Sequence, residues 1–228
     1  MFKKYNAIEN TYRTEFLERI KGHGFWEREY VVQEKAHGAN LSYWTNNGVD
    51  FFAAKRTATI GADEKFYNYE HLLEAIQLAL QNIWRKLTQQ DPEIKQVTFF
   101  GELIGGSYPH PDVPRNRAAP KVQKGIFYSP DNHFYAFDIL INAQRFLDVD
   151  EANRLFEAEG LLHAQTLFKG SLEACLTHSN AFDSTIPALL GLPTLTPNLC
   201  EGTIIKPQQE AYFNNGVRVI LKNKNENK

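Results

Sequence analysis

The sequence predicts a mixed α+β fold in which strand-like segments outnumber helical ones. Two observations predict it. Short runs rich in β-branched and aromatic residues recur between turn-forming residues, and one long segment repeats apolar residues at helical spacing. The 228 residues, 43% of them hydrophobic, suffice for a large buried core in one domain or at most two.

The N-terminal elements follow from these patterns. Residues 11–21 carry apolar side chains at helical spacing and predict a short amphipathic helix, which precedes a first strand at Glu29–Glu34. Strands at Asn40–Trp44 and Val49–Ala54 flank an Asn-Gly pair, which tolerates the positive φ angles of a tight hairpin. Residues 63–89 form the clearest helix, and we assign its broad apolar stripe to the core.

The second half of the chain continues with strands. A strand at Val97–Phe100 leads into a proline-rich loop over residues 107–125. Ile126–Ser129 and His133–Ile141 predict a hairpin across Pro130-Asp131-Asn132. The remaining predicted elements are helices near 150–160 and 171–179, and strands at Gly202–Lys206 and Val217–Lys222.

The composition narrows the class of protein. No run of about 18 apolar residues exists and the N-terminus lacks the apolar core of a signal peptide, so we expect a cytoplasmic protein, neither secreted nor membrane-bound. Cys175 and Cys200 have neither the spacing of zinc ligands nor the number of a disulfide framework, which predicts two buried thiols. The formal net charge of −2 argues against a broad nucleic-acid coat, so a polyanion would meet a local patch.

The loop over residues 107–125 carries a local group of cations. It holds Arg115, Arg117, Lys121 and Lys124. The loop is either a plain surface excursion or an element that touches a phosphate backbone.

Several charged residues stand at strand positions. Glu102, Asp138 and Glu201 each end or interrupt an apolar strand, where a carboxylate is costly unless it is paired, hydrogen-bonded or bound to a metal. For each taken singly, an edge-strand charge that faces water is the simpler explanation. Near the C-terminus Arg218, Lys222 and Lys224 recur with even spacing, which indicates either a solvated face or a phosphate site.

The segment Glu34-Lys35-Ala36-His37-Gly38-Ala39-Asn40 places a lysine at the end of an apolar strand and follows it with small, turn-competent residues. A nucleophilic amine would be placed in this way. By itself, however, such a lysine is more often a solvated surface residue.

Five segments taken in order resemble the motifs of covalent nucleotidyltransferases, the superfamily of ATP-dependent ligases and mRNA capping enzymes. His37, the block Ala54-Lys55-Arg56-Thr57 and the N-terminal Met-Phe-Lys-Lys-Tyr are similar to the nick-sealing class of RNA ligases, typified by the second RNA ligase of phage T4 and the trypanosome RNA-editing ligases. The five segments are Lys35-Ala36-His37-Gly38, Phe100-Gly101-Glu102, Tyr135-Ala136-Phe137-Asp138, Glu201-Gly202-Thr203-Ile204-Ile205-Lys206 and Leu221-Lys222-Asn223-Lys224.

The resemblance runs from residue 1 to about residue 224. It implies an α+β, ATP-grasp-like ligase adenylation fold of largely antiparallel sheets flanked by helices, as a single adenylyltransferase domain of residues 1–228. Members of the class usually continue into a helical C-terminal domain that positions the RNA nick, and this sequence stops before one. We therefore expect self-adenylylation to be better supported than complete nick sealing, unless a separate RNA-positioning domain or partner assists.

The resemblance also implies roles for single residues. Lys35 would become Lys-AMP, the AMP would pass to an RNA 5′-phosphate, and a 3′-hydroxyl would displace it at a nick. His37 would serve the later steps, unless it is a turn histidine satisfied by backbone, and Asp138 is open between a functional and a structural role. The implied binding residues are Glu34 beside the purine through its backbone, Asn40 and Arg56 at the nucleotide or RNA end, Glu102 at the ribose hydroxyls, Phe137 on the adenine ring, Lys206, Lys222 and Lys224 at the phosphates, and Glu201 at hydrated Mg²⁺, for which Mn²⁺ can substitute.

The implied chemistry makes a demand on the lysine. Attack on ATP needs an uncharged amine, whereas a free lysine with a pKa of about 10.4 is neutral in well under about one part in a thousand at pH 7. Nearby cations lower such a pKa because each repels the protonated form. The candidates are Lys206, Lys222, Lys224 and a bound Mg²⁺, which would also neutralise charge as pyrophosphate leaves.

Two alternatives remain open from the sequence. The chain could be a DNA ligase or a capping-type nucleotidyltransferase that shares the chemistry. It could also be a non-catalytic RNA-binding or nucleotide-binding module with the same fold.

Overall fold

The computed structural model describes residues 1–225, and the last three residues lie outside the described part. Within it the chain forms two five-stranded sheets and five helices. In chain order these are β1 (Glu9–Asn10), α1 (Thr14–Gly22), β2 (Glu29–Glu34), β3 (Ala39–Thr45), β4 (Phe52–Lys55), α2 (Tyr69–Gln90), β5 (Val97–Ser107), β6 (Ser129–Ile141), β7 (Arg145–Phe146), α3 (Val149–Ala158), β8 (Thr166–Ser171), α4 (Leu172–Thr177), α5 (Ile186–Leu189), β9 (Gly202–Pro207) and β10 (Leu221–Lys224).

The two sheets are almost entirely antiparallel. The first sheet has the order β1-β10-β9-β2-β8, and only its β1–β10 pair is parallel. The second has the order β4-β3-β5-β6-β7 and is antiparallel throughout. The chain passes from the first sheet to the second directly after β2, across Lys35–Gly38.

Each sheet buries its own apolar core. Helix α2 packs Leu80, Ile83 and Leu87 against the second sheet, which realises the apolar stripe predicted for residues 63–89. Helices α1 and α4 cover the first sheet with residues such as Ile20 and Cys175. A smaller apolar cluster includes Ala36 from the crossing segment, Ile104 and Tyr135 from the second sheet, and Tyr128, which directly precedes β6.

Most predicted elements are confirmed, with shifted ends. Strand β2 has the predicted bounds, whereas helix α2 begins at Tyr69, six residues after the predicted start. Gly48 adopts a positive φ of 72°, as the predicted hairpin turn requires, but β4 begins only at Phe52. Both cysteines are free and buried, as expected.

The predicted hairpin between Ile126–Ser129 and His133–Ile141 is wrong. Residues 129–141 form one continuous strand, β6, which runs through Pro130-Asp131-Asn132 and pairs with β5. A register shift opposite Gly105–Ser107 accommodates the proline, which has no N–H to give to the ladder. The turn-forming residues therefore mark a bulge and not a chain reversal.

The predicted C-terminal strand is also shifted. Only Leu221–Lys224 pairs with β9, and Arg218 precedes the strand. Arg218 is 1% exposed, so it lines neither a solvated face nor a phosphate site together with Lys222 and Lys224. The edge strand β8 was not predicted, because Thr166–Ser171 has no apolar run.

Candidate active site

A cleft of about 410 Å³ lies between the two sheets. Its volume falls in the range of about 300–1,000 Å³ that small-molecule sites occupy. Ten of the eleven site residues that the sequence predicts line it: Glu34, Lys35, Asn40, Arg56, Glu102, Phe137, Glu201, Lys206, Lys222 and Lys224.

Lys35 stands directly after β2, at the crossing between the sheets. Its backbone N–H donates to the carbonyl of Gly202, which fixes the end of the strand against β9. Its Nζ donates to Glu201 Oε2 at 2.6 Å. The Glu201 carboxylate is 5% exposed and occupies the position just before β9. Neighbouring antiparallel strands thus bring together an amine and a carboxylate that are 166 residues apart.

Two further lysines complete a cationic cluster at this end of the cleft. Lys224 Nζ lies 3.1 Å from Glu201 Oε1, so each carboxylate oxygen has its own lysine. Burial, followed by the charges of Lys35 and Lys224, lowers the pKa of Lys222. Burial opposes the ionisation of Glu201, but the charges of Lys35 and Lys224 keep its pKa below the usual value. One buried carboxylate is therefore paired with two lysines, and Lys222 lies close enough to both lysines for their charges to lower its pKa.

Glu102 lies across the cleft on β5. It is paired in register with Asn40 on β3, so the second sheet places these two side chains side by side. Burial raises the pKa of Glu102 to about 7, and the negative charge of Glu201 adds to the effect while Lys35 opposes it. Gly38 permits the close packing here, because a Cβ at this position would lie 2.2 Å from the carbonyl oxygen of Leu103.

His37 lies beside the cleft without lining it. Its backbone N–H donates to the hydroxyl of Tyr128 at 2.9 Å, while its Nδ1 lies 3.6 Å from Glu201 Oε2. The side chain is 47% exposed, so one face of the imidazole is open to solvent next to the lysine cluster. The backbone N–H of His37 is hydrogen-bonded as in a turn histidine, but the imidazole ring is free to contact a substrate.

Glu34 forms the inner wall of the cleft. Its Oε2 accepts hydrogen bonds from the N–H and the hydroxyl of Thr185, each at 2.7 Å. Its Oε1 is buried as well, and the Ser184 side chain also interacts with the carboxylate. Burial raises the pKa of this carboxyl group, and the hydroxyl of Tyr135 donates to its backbone carbonyl.

Asp138 has a structural role. It is 1% exposed, does not line the cleft, and accepts hydrogen bonds from Arg218 and Lys206. Burial opposes its ionisation, but the charges of Arg218 and Lys206 hold its pKa well below the usual range. Lys206 also donates to the carbonyl of Phe137, so its ammonium group is engaged and its charge is matched within the protein.

Tyr5 was not among the site residues predicted from the sequence, yet it lines the cleft. Its hydroxyl donates to Asp138 and accepts from Arg218 at 3.0 Å. Its ring packs edge-on against Phe137, with ring centroids 5.1 Å apart. Residues 5–8 themselves line the cleft. No local pattern signals this, because the contacts join residues more than 130 positions apart.

Arg56 and Phe137 complete the lining. Arg56 follows β4 and is exposed, while the half-buried ring of Phe137 reaches the cleft from β6. The described residues contain no group of three or more His, Cys, Asp or Glu side chains placed to hold a metal ion. In that same part of the chain no helix is long and apolar enough to cross a membrane.

The fold and the site together define a nucleotidyltransferase domain, with two largely antiparallel sheets that enclose a cleft in which Lys35 and Lys224 pair with the Glu201 carboxylate. The model of the RNA ligase family matches residues 28–224. The chain therefore belongs to the RNA ligase family.

Two curated relatives agree with this family. RNA-editing ligase 2, mitochondrial, of Trypanosoma brucei brucei is 34% identical over 90% of this chain and 55% of its own length. RNA-editing ligase 1, mitochondrial, of the same organism is 28% identical over 83% of this chain and 47% of its own length. The chain thus spans about half the length of the curated relatives it matches.

Solved structures show the same fold at lower identity. An apo mutant of a Naegleria gruberi RNA ligase is 14% identical, with a TM-score of 0.66 over 100% of this chain and 57% of that one. A second mutant of a Naegleria gruberi RNA ligase, solved with AMP and Mn, also gives a TM-score of 0.66, at 13% identity over 100% of this chain and 57% of that one.

Proposed function

We propose that this chain is the adenylyltransferase part of an ATP-dependent RNA ligase. The Lys35 amine attacks the α-phosphorus of ATP, the bond to the β-phosphate oxygen breaks, and pyrophosphate leaves while the nitrogen loses a proton. An RNA 5′-phosphate oxygen then attacks the adenylate phosphorus, which breaks the P–N bond and frees Lys35. A 3′-hydroxyl finally attacks the RNA phosphorus, AMP leaves, and a phosphodiester forms.

The observation that carries the proposal is the environment of Lys35. Its amine lies in a cleft that also contains Lys222 and Lys224, which are placed to bind phosphate oxygens. The ion pair with Glu201 must separate before the lone pair of Lys35 is free to attack. The cations that would bind the triphosphate also compete for Glu201, because Lys224 already occupies its second oxygen.

The inner half of the cleft fits the base and ribose of ATP. Glu34 lines this half of the cleft, and we assign its backbone to the edge of the purine. Phe137 supplies an aromatic face for the base, and Glu102 and Asn40 supply polar groups for the ribose or the RNA end. Mutants of the Naegleria gruberi RNA ligase are solved with AMP and Mn and with ATP and Mn, which supports ATP as the substrate here.

The residues present also fit a divalent cation, Mg²⁺ or Mn²⁺, bound mainly through the substrate. Mg²⁺ commonly uses one or two carboxylates together with waters and phosphates, so three protein ligands are not required. Glu201 would hold it, in exchange for the ion pairs that its two oxygens make with Lys35 and Lys224. When bound, the ion supplies positive charge that neutralises the triphosphate.

The partner that we propose is RNA, either as a nicked duplex or as RNA ends. Both curated relatives are named RNA-editing ligases, and this chain matches about half of each, so a separate RNA-positioning domain or partner belongs to the proposal. A cytoplasmic location stays a prediction from the sequence, and the names of both relatives include the word mitochondrial.

The test is one incubation of the purified chain with α-labelled ATP or GTP and Mg²⁺, followed by denaturing electrophoresis. We expect label from ATP on the wild type, none on Lys35→Ala, and wild-type labelling on Lys95→Ala, which removes an exposed lysine outside the cleft. Label from GTP would indicate a capping-type enzyme. Absence of label on the wild type, or undiminished label on Lys35→Ala, would refute the covalent mechanism.

Sealing is tested on nicked duplexes. The chain should join a strand that ends in an RNA 3′-hydroxyl, and a preference for a DNA 3′-hydroxyl would indicate a DNA ligase instead. A non-catalytic binding module would show nucleic-acid affinity that Lys35→Ala leaves unchanged, with no label at any stage.

A further inference from the structure

The loop that joins β5 to β6, residues 108–128, carries cations that the candidate active site does not use. Arg115, Arg117, Lys121 and Lys124 are all exposed. Residues 108–128 contain one acidic residue, Asp112, and Asp131 lies just beyond the loop. Among the described residues none of the four cations forms a salt bridge, and Lys121 alone has an aromatic neighbour, with its Nζ 5.6 Å from the ring centre of Phe127. Four cations without a salt bridge among the described residues thus lie within residues 115–124 of one loop, in a chain whose net charge is −2.

The loop is held in a defined shape. Gly105 and Gly106 take positive φ angles, and a Cβ on Gly106 would lie 2.1 Å from the carbonyl oxygen of Pro120. The loop backbone at Pro120 therefore packs directly against the end of β5. The N–H of Val122 donates to the carbonyl of Gly105, and the Asn132 amide donates to the carbonyl of Pro120. The cations are therefore presented by an ordered backbone, which reduces the entropy lost when a partner binds.

The loop also adjoins the candidate active site. It leaves β5 at Ser107, five residues after Glu102, which lines the cleft, so at about 3.3 Å per residue the two lie at most about 17 Å apart. It returns at Tyr128, whose hydroxyl accepts from the backbone N–H of His37. One strand of a duplex carries a phosphate about every 3.4 Å along its axis, so a strand leaving the cleft would reach the loop after about five phosphates.

From these observations we propose that the loop is a docking surface for the phosphodiester backbone of the RNA substrate, several nucleotides from the reacting end. Four cations without internal partners suit a row of phosphates, which positions a strand without reading its sequence. The inference rests on the proposed function, because the RNA substrate named there is the polyanion that the loop would bind. It also answers how a chain with a net charge of −2 can hold RNA: it binds through a local patch.

The test measures binding of a fluorescent RNA duplex with one 5′-phosphorylated nick, without ATP, as a function of salt concentration. The loop variant replaces Arg115, Arg117, Lys121 and Lys124 by Gln. The control variant replaces Arg85, Lys95, Arg145 and Arg154 by Gln, which changes the net charge equally and removes exposed cations that lie outside the cleft. Self-adenylylation with labelled ATP is measured on the same proteins.

Each phosphate contact adds about 0.9 to the slope of log K against log salt for a duplex, so losing one contact weakens binding about tenfold at 0.1 M salt. We expect the loop variant to lose at least two such contacts, about a hundredfold, with a shallower slope and unchanged self-adenylylation. The control should bind as the wild type does. A second loop variant carries Arg115→Lys and Arg117→Lys and leaves Lys121 and Lys124 unchanged. It keeps the charge of the loop and should show the wild-type slope.

Two results would overturn the docking surface. The first is that the loop variant binds RNA with the affinity and slope of the wild type. The second is that the loop and control variants bind equally weakly, which would show that the loss depends on the net charge of the protein and not on the loop. Failure of the wild type to accept label from ATP would instead refute the proposed function, so the two failures are distinguishable.

Discussion

Replacing Glu102 by Gln should stabilise the protein without nucleotide, and the gain should depend on pH. Burial raises the pKa of Glu102 from 4.5 to about 7. Each unit of difference between the folded and unfolded pKa corresponds to about 1.4 kcal/mol, so the folded state is disfavoured by about 3 kcal/mol once the group is ionised in both states. Gln keeps the shape and can still accept the hydrogen bond from Gly38.

The sign follows from proton binding. Between pH 4.5 and 7 the folded state keeps the Glu102 proton while the unfolded state has lost it, so the stability of the wild type falls as pH rises through this window. Below the window the group is protonated in both states and costs nothing. The advantage of the Gln variant should therefore be small at pH 4, grow through the window, and level off above pH 7.

The assay is urea unfolding at constant ionic strength from pH 4 to 8, with midpoints and slopes compared between variants. Glu27→Gln is the matched control, because Glu27 is exposed and lies outside the cleft. The reasoning fails if Glu102→Gln is no more stable than the wild type at pH 8, or if its gain does not change with pH. The same variant should lose nucleotide affinity, because the buried carboxylate is proposed to bind the ribose.

Two further changes test the framework of the site. Gly38→Ala should cost about 1–3 kcal/mol in chemical unfolding, because its Cβ would lie 2.2 Å from the backbone oxygen of Leu103; Gly61→Ala, with open space around it, is the control, and equal effects would contradict the argument. Tyr5→Phe should cost about 1–3 kcal/mol by removing a donor to buried Asp138 while keeping the ring, and unchanged stability would show that the hydroxyl contributes nothing.

The sequence indicated the site better than it indicated the topology. Ten residues implied by the family resemblance line one cleft, because each belongs to a short motif that can be matched along the sequence without knowing how the strands pair. The pairing of strands, in contrast, depends on residues that are far apart in the sequence. The continuous strand β6 was predicted as a hairpin because Pro130-Asp131-Asn132 has turn-forming residues, and only its pairing with β5 turns them into a bulge.

The buried charge network around Arg218 could not be predicted from the sequence either, because its members Tyr5, Asp138 and Arg218 lie far apart along the chain. Arg218 sits among basic residues near the C-terminus, yet it is fully buried by its pairing with Asp138 and Glu210. Tyr5 completes the network from the other end of the chain. A buried arginine is tolerable only when such partners are present, and no residue type or spacing near position 218 announces them.

The central claim is that the amine of Lys35 becomes covalently bound to AMP. The most direct measurement incubates the chain with ATP and Mg²⁺, digests it under conditions that preserve a phosphoramidate, and locates the adenylate by peptide mass spectrometry. We expect one adenylylated peptide, with AMP on Lys35. AMP on Lys222 or Lys224, or an unmodified chain after exposure to ATP, would contradict it.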